Sequence, residues 1–131
     1  MKTFRDIFAA NGMDHENTMK RFVGNQGMYL KMLDVFLADS SMGTLKAALG
    51  EGDLNGAFEA AHALKGMAGN MGLSRLYEAV CAITEPLRAG ESGADYPGLF
   101  LAVQGEFEKV RLLREELLAA ANLDVADGRP L

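Results

Sequence analysis

The chain has 131 residues, of which 49% are apolar and 24% charged, a composition typical of one folded globular domain and not of a disordered chain. Its 13 lysines and arginines against 18 acidic residues give a net charge of −5, which on average repels nucleic acid and anionic membranes. The chain has a single cysteine, Cys81, so it cannot form an internal disulfide. Arg5 and Asp6 interrupt the apolar run that a signal peptide would need. No uncharged apolar stretch approaches the roughly 18 residues of a membrane span. We therefore expect a cytoplasmic protein with neither nucleic acid nor membrane among its partners.

Apolar residues recur at helical spacing through almost the whole chain, and no stretch of four or more residues keeps the strict alternation of a strand. The first two predicted helices are short: residues 4–10, ending at Asn11-Gly12, and a second from an Asp14 N-cap to Val23. A long third helix is predicted next, ending at Gly50, because one apolar stripe keeps i, i+3, i+4 spacing along it. The stripe consists of Tyr29, Met32, Leu33, Phe36, Leu37, Leu45, Ala48 and Leu49.

Two further helices have clear boundary signals. Asp53 is the predicted N-cap of a helix over about 54–71, and Gly72 lies where a glycine commonly ends a helix. The next helix is predicted to begin at a Ser74 cap and to end at Gly90. Its apolar stripe contains one hydroxyl residue and reads Leu73, Leu76, Tyr77, Val80, Ile83, Thr84 and Leu87.

The last predicted helix opens at Asp95, with Pro97 in its first turn. Its core positions are Phe100, Val103, Phe107, Val110, Leu113 and Leu117. Residues 124–131 are predicted to form a flexible tail, so that the folded domain spans 1–123. Four helices of about 16 to 26 residues, joined by short connections, predict an all-α antiparallel up-down four-helix bundle with one or two short extra N-terminal helices.

The helix over 54–71 carries an unusual face. With His62 set at 0° and about 100° per residue, the apolar residues fall on the far side, so His62 is predicted to face solvent. Gly66 and Gly69 lie on the same outward side, although a glycine inside a helix costs about 1 kcal/mol relative to alanine. They leave the surface beside His62 without side-chain walls, and Phe58 is the one large apolar residue there. This combination indicates a protein docking surface.

Residues 61–73, Ala-His-Ala-Leu-Lys-Gly-Met-Ala-Gly-Asn-Met-Gly-Leu, resemble the signature of histidine-containing phosphotransfer (HPt) domains, which is His-x-Leu-Lys-Gly with a further glycine several residues on. Gly24-Asn25, Phe36-Leu37 and the turn over 50–53 are similar to features of the same family. The resemblance implies a four-helix bundle that relays phosphoryl groups. Its exposed His62 would accept the group from an aspartyl phosphate on a receiver domain, or from a sensor or hybrid histidine kinase, and pass it to a response-regulator receiver.

The chemistry of the residues agrees with that role. A neutral imidazole is a nucleophile, and the Nε2 of an unshielded His62 can attack an acyl phosphate in line. Lys65, three residues on and on the same helix face, can neutralise the charge of the phosphohistidine. Partner contacts are assigned to the rest of that face: Phe58, Glu59, Gly66 and Gly69.

The resemblance further implies a polar residue on the neighbouring helix that orients the second ring nitrogen of the histidine. Thr84 occupies about that position, where other members use a longer amide side chain, and a hydroxyl in an apolar stripe needs a hydrogen-bond partner. Met67 also stands where the family usually has a small residue; its wheel position faces inward. We therefore treat Thr84 as a candidate for orienting the imidazole.

No glycine-rich nucleotide motif follows a strand, so we expect a phosphocarrier and not an enzyme, with no ATP site and no cofactor. No metal site is expected, because the carboxylates that serve phosphoryl transfer would belong to the receiver. We expect a monomer, and read His15 as a surface residue. Two alternatives stay open: an adaptor bundle that binds a receiver or another partner without accepting phosphate, and a module of a larger kinase. The pair of His62 and Lys65 favours the phosphocarrier, since an adaptor does not need it.

Overall fold

A computed structural model describes residues 2–126, and the side chains of residues 2–122. The regular structure of this part of the chain is entirely helical, which confirms the all-α prediction. The helices are α1 (Phe4–Ala10), α2 (His15–Lys20), α3 (Gln26–Ala38), α4 (Ser41–Gly50), α5 (Leu54–Asn70), α6 (Ser74–Arg88) and α7 (Tyr96–Ala126).

Short polar side chains begin most of these helices. An N-cap side chain accepts a hydrogen bond from a backbone N–H of the first turn, which otherwise has no partner. Thr3 does this for α1, Asp14 for α2, Asn25 for α3 and Asp53 for α5. Asp95 accepts from the N–H of Gly98 at 3.1 Å at the start of α7. The predicted caps Asp14 and Asp53 are thus confirmed.

One predicted cap is wrong. Ser74 is the first helical residue of α6, and its hydroxyl makes no cap hydrogen bond; the N-cap position belongs to Leu73. The apolar Leu73 is buried there, so the entry to α6 is fixed by packing and not by a hydroxyl. At the other end of the chain, α7 continues to Ala126, which places the first three residues of the predicted tail in the helix. Residues 127–131 of that tail lie outside the described residues.

The predicted long third helix is two helices. Asp39 has an extended backbone (φ −66°, ψ 145°) and ends α3, and its carboxylate accepts a hydrogen bond from the N–H of Ser41 at 2.8 Å. Aspartate and serine compete with the helix for backbone hydrogen bonds, which favours a break where they occur together. The apolar stripe continues in α4 with buried Leu45, so periodicity alone does not reveal the interruption. Met32, predicted in the stripe, is 41% exposed.

The helices pack as a closed ring around one apolar core. α4 lies against α5, α5 against α6, α6 against α7, and α7 against both α3 and α4. Two residues separate α3 from α4, and the two helices do not pack against each other but together form the first long arm of the bundle. The later arms follow through short connections and run antiparallel, so the predicted up-down bundle is confirmed. Residues with less than 2% exposure in the centre of the bundle include Leu33, Leu45, Leu64, Leu76, Ile83, Val103 and Leu117.

An aromatic cluster fastens the N-terminal helices to the bundle. The rings of Phe4, Phe8 and Phe22 all lie within 6.3 Å of the Tyr29 ring, measured between centroids. The Tyr29 hydroxyl donates a hydrogen bond to the backbone carbonyl of Met71 at 2.8 Å, just past the end of α5. Burial raises the pKa of this phenol well above its usual range. The cluster therefore joins α1, α2 and the start of α3 to the C-terminal end of α5.

His15 is half-buried against this cluster, whereas the sequence predicts a surface residue. Its ring packs edge-on against Phe8, with 5.2 Å between centroids, and its Nδ1 is buried without a hydrogen-bond partner in the described structure. The loss of hydration lowers the pKa of His15, with Arg5 acting in the same direction. His15 therefore favours its neutral form as a packing residue.

Gly72→Ala is expected to destabilise the protein by about 1–3 kcal/mol. Gly72 has φ +70°, and a Cβ atom there would come within 2.1 Å of the Thr18 hydroxyl oxygen. Urea unfolding followed by circular dichroism measures the change. Gly105→Ala is the matched control, because a Cβ on α7 at that position meets nothing within 4 Å and should stabilise the helix slightly. Equal unfolding free energies for the two variants would contradict the expectation.

Candidate functional site

His62 lies in the middle of α5 with its side chain exposed to solvent, as the helical wheel predicts. The opposite face of α5 is buried against α4 and α6 and consists of Ala57, Ala60, Ala61, Leu64 and Ala68. Small alanines on this face let the neighbouring helices approach closely, and they fix which side of α5 points outward. The exposed position of His62 is therefore a consequence of the packing of α5.

The ring of Phe58 lies against the ring of His62. The two centroids are 5.7 Å apart and the ring planes differ by 23°, which is a stacked arrangement of side chains one helical turn apart. The guanidinium carbon of Arg88, on α6, lies over the Phe58 ring at 5.7 Å from its centroid. Arg88 is in turn paired with Glu85, with 2.7 Å between Nη1 and Oε1. Phe58 is half-buried, so it is less available to a partner than the sequence suggests.

A shallow, open depression extends from His62 toward the C-terminal end of α5. It is lined by Arg21, His62, Lys65, Gly66, Gly69, Asn70 and Tyr77. Lys65 is half-buried here, and the described residues offer it no ion-pair partner. The structure thus brings the predicted His62, Lys65 and both predicted glycines to one surface, while Glu59 is exposed one turn before them.

The two glycines of this surface differ in their surroundings. A Cβ atom at Gly66 would have no heavy atom within 4 Å, so nothing inside the protein requires a glycine there. A Cβ atom at Gly69 would lie 3.4 Å from Cε2 of Tyr77, which packs over this glycine from α6. Tyr77 is 37% exposed and lines the depression, although the sequence places it in the buried stripe of α6. Gly66 is therefore the open position beside His62, and Gly69 is covered.

Arg21 is a site residue that the sequence did not reveal. It follows α2, and its Nη1 donates hydrogen bonds to the carbonyls of Gly69 at 3.3 Å and Asn70 at 3.0 Å. These carbonyls belong to the last turn of α5, which has no helical donors of its own and carries the negative end of the helix dipole. Arg21 therefore supplies a donor to the Asn70 carbonyl and a second donor to the Gly69 carbonyl, which also accepts from the N–H of Gly72. It adds a second cation to the His62 depression.

Thr84 does not have the predicted orienting role. Its side chain is completely buried, and its hydroxyl donates a hydrogen bond to the carbonyl of Val80, one turn earlier in α6, at 2.6 Å. This bond within the helix meets the need for a partner that the sequence analysis recognised. Within residues 2–122, no hydrogen bond to either nitrogen of the His62 ring is present.

Cys81, the one cysteine of the chain, does not line the His62 depression. Cys81 is half-buried on α6, as a packed or boundary residue would be. In the part of the chain that the structure describes, no three His, Cys, Asp or Glu side chains are grouped so that they could hold a metal ion. None of the described helices is long and apolar enough to span a membrane.

Comparisons with known proteins point to one family. The family model of the Hpt domain matches residues 31–122. The crystal structure of histidine-containing phosphotransfer protein B (HptB) from Pseudomonas aeruginosa PAO1 is similar at 30% sequence identity, with a TM-score of 0.71, over 79% of this chain and 91% of that one. No curated protein matches the chain. All the residues that line the depression around His62, except Arg21, lie within the matched range.

Proposed function

We propose that this chain, which belongs to the Hpt domain family, carries phosphoryl groups on His62 between response-regulator receiver domains. The observation that carries the proposal is the exposed His62 in the middle of α5, with Lys65 and the open position Gly66 within one turn. A nucleophile that reacts with a group held by another protein has to be reachable from outside. His62 is exposed on the bundle surface and therefore meets this requirement.

The proposed reaction moves one phosphoryl group from a receiver domain to His62. The lone pair of the His62 Nε2 attacks the phosphorus of an aspartyl phosphate on the donor receiver. An N–P bond forms as the P–O bond to the aspartate breaks, and the aspartate leaves as a carboxylate. The reverse step on a second receiver restores the imidazole. The protein is thus a carrier that takes part in each transfer and ends it unchanged.

The charges around His62 suit an acidic partner. The chain as a whole carries a net charge of −5, yet two cations, Arg21 and Lys65, line the depression, and no acidic residue of the described part of the chain lines it. Cations placed here attract the transferred group and the carboxylates of a receiver, and complementary charge speeds encounter between proteins. The positive charge of the depression therefore supports a receiver domain, which gives or takes the phosphoryl group, as the partner.

The direct test is phosphate acceptance by the wild-type protein. It is incubated with small acyl phosphates and with a panel of phosphorylated receivers, and acid-labile phosphate is mapped by peptide analysis. We expect the phosphate on the peptide that contains His62. The adaptor alternative predicts receiver binding, measured by calorimetry, with no phosphate on the chain under any of these conditions. That result would replace the phosphocarrier with the adaptor.

Lys65→Ala is expected to shorten the lifetime of the phosphorylated form, or to slow transfer, by a few-fold up to about tenfold. Lys65 is half-buried beside His62, and a cation there favours the phosphorylated product over the neutral imidazole. Lys65→Arg keeps the charge and should have a milder effect. The measurement is phosphohistidine decay and transfer rate at low and high salt, since salt screens exposed charges. If both variants behave alike at both salt concentrations, charge is not what Lys65 contributes.

A further inference from the structure

The imidazole of His62 has to be held in one orientation if in-line attack is to be efficient, because transfer rates depend strongly on the geometry of the reacting atoms. An exposed histidine side chain otherwise samples several rotamers. Thr84, the residue predicted to orient this ring, is buried, and its hydroxyl donates a hydrogen bond to the Val80 carbonyl. No hydrogen bond to the ring nitrogens is present within residues 2–122 to replace it. The orientation of His62 therefore needs another cause.

We propose that Phe58 is the positioning residue of the phosphoacceptor, and that it orients the His62 imidazole by stacking on its face. This inference rests on the proposed function of His62. The two rings are 5.7 Å apart at 23°, and Phe58 is itself half-buried against the core, so it is the better fixed of the two side chains. A stacked contact holds the face of the imidazole and leaves its edge, which carries both nitrogens, free for reaction.

The stack continues to α6. Arg88 lies over the Phe58 ring at a distance within the range of a cation–π interaction, and Glu85 holds Arg88 through an ion pair. A side chain of α6 therefore helps to fix Phe58, and Phe58 fixes His62. The sequence predicts that a hydrogen bond from Thr84 on α6 orients His62. In this proposal, the ring of Phe58 on α5 does so instead.

The test uses Phe58→Leu, which keeps an apolar side chain against the core, and Phe58→Tyr, which keeps the ring. Phosphorylation by a small acyl phosphate involves no docking surface, so its rate reports the nucleophile alone. We expect Phe58→Leu to slow this rate roughly two- to tenfold, the range that one aromatic pair can supply, and Phe58→Tyr to restore it. Arg88→Gln should give a smaller loss, because it removes only the outer partner of the ring.

A spectroscopic readout separates positioning from a merely structural role. Stacking shifts the ring-proton resonances of His62 through the ring current of Phe58, and the chain has only 2 histidines, so His15 serves as an internal reference. We expect Phe58→Leu to move the His62 resonances and to leave those of His15 in place. Circular dichroism confirms that the variant is folded.

Three results would overturn the inference. They are unchanged His62 resonances in Phe58→Leu, a wild-type rate with the small donor in that variant, and a loss that occurs only when a receiver is the donor, which would make Phe58 a docking contact. Failure of the proposed function looks different, since the wild-type protein would then accept no phosphate from any donor.

Discussion

His62→Gln is expected to abolish phosphate acceptance while changing the unfolding free energy by no more than about 0.5 kcal/mol. The side chain is exposed, so its replacement leaves no cavity, and glutamine keeps polarity and similar size. An amide nitrogen has no free lone pair comparable to that of an imidazole, so the variant lacks a nucleophile. Acid-labile phosphate after incubation with a phosphorylated receiver, together with urea unfolding, measures both effects.

His15→Gln is the matched control, because His15 is the other histidine of the chain. It is the first residue of α2, packs against Phe8 and should accept no phosphate, so this variant should be phosphorylated like the wild type. Acid-labile phosphate that persists in His62→Gln would place the acceptor elsewhere and would make His15 the residue to examine.

Gly66→Leu is expected to slow transfer from a receiver by at least about tenfold, which corresponds to about 1.4 kcal/mol in the barrier. Nothing inside the protein contacts a Cβ atom at this position, so the leucine should project into the space that a docked receiver occupies. Helix propensity should meanwhile improve by several tenths of a kcal/mol, so the fold survives or gains stability. The transfer rate and the thermal unfolding midpoint are measured on the same preparation.

Gly105→Leu separates the steric effect from the change in helix propensity. Gly105 is an exposed glycine inside α7 with equally open space around its Cβ position, and it does not line the His62 depression. The control should gain similar stability and transfer at the wild-type rate. A wild-type rate for Gly66→Leu, with stability unchanged or higher, would remove steric clearance as the reason for this glycine.

Local signals account for what could be predicted of the fold. A carboxylate such as Asp14 or Asp53 finds its partner three residues away, and Gly72 adopts a positive φ within its own turn, so each acts without reference to distant parts of the chain. The outward face of α5 is also predictable, because it follows from the distribution of apolar residues around one helix. The break at Asp39 was missed since the apolar stripe resumes on the other side of it.

Contacts between distant segments account for what was missed at the site. Arg21 reaches carbonyls 48 and 49 residues further along the chain, and no local pattern encodes that pairing. A helical wheel predicts the face of α6 on which Tyr77 lies, but it does not predict that Tyr77 packs over Gly69 of α5. Thr84 shows a different limit, because the sequence reveals that a buried hydroxyl needs a partner and does not reveal which acceptor it takes.

The side chains that bond to the C-terminal end of α5 lie before the range that the family model matches. The family match begins at residue 31, whereas Arg21 and Tyr29, which bond to the Gly69, Asn70 and Met71 carbonyls, precede it. A fragment trimmed to residues 31–122 would keep His62 and Lys65 but lose the side-chain donors to these carbonyls, of which Gly69 would still accept from the N–H of Gly72. It would also lose one cation of the depression. The smallest portion of this chain that preserves the proposed phosphoacceptor surface is therefore longer than the range of residues 31–122 that the family model matches.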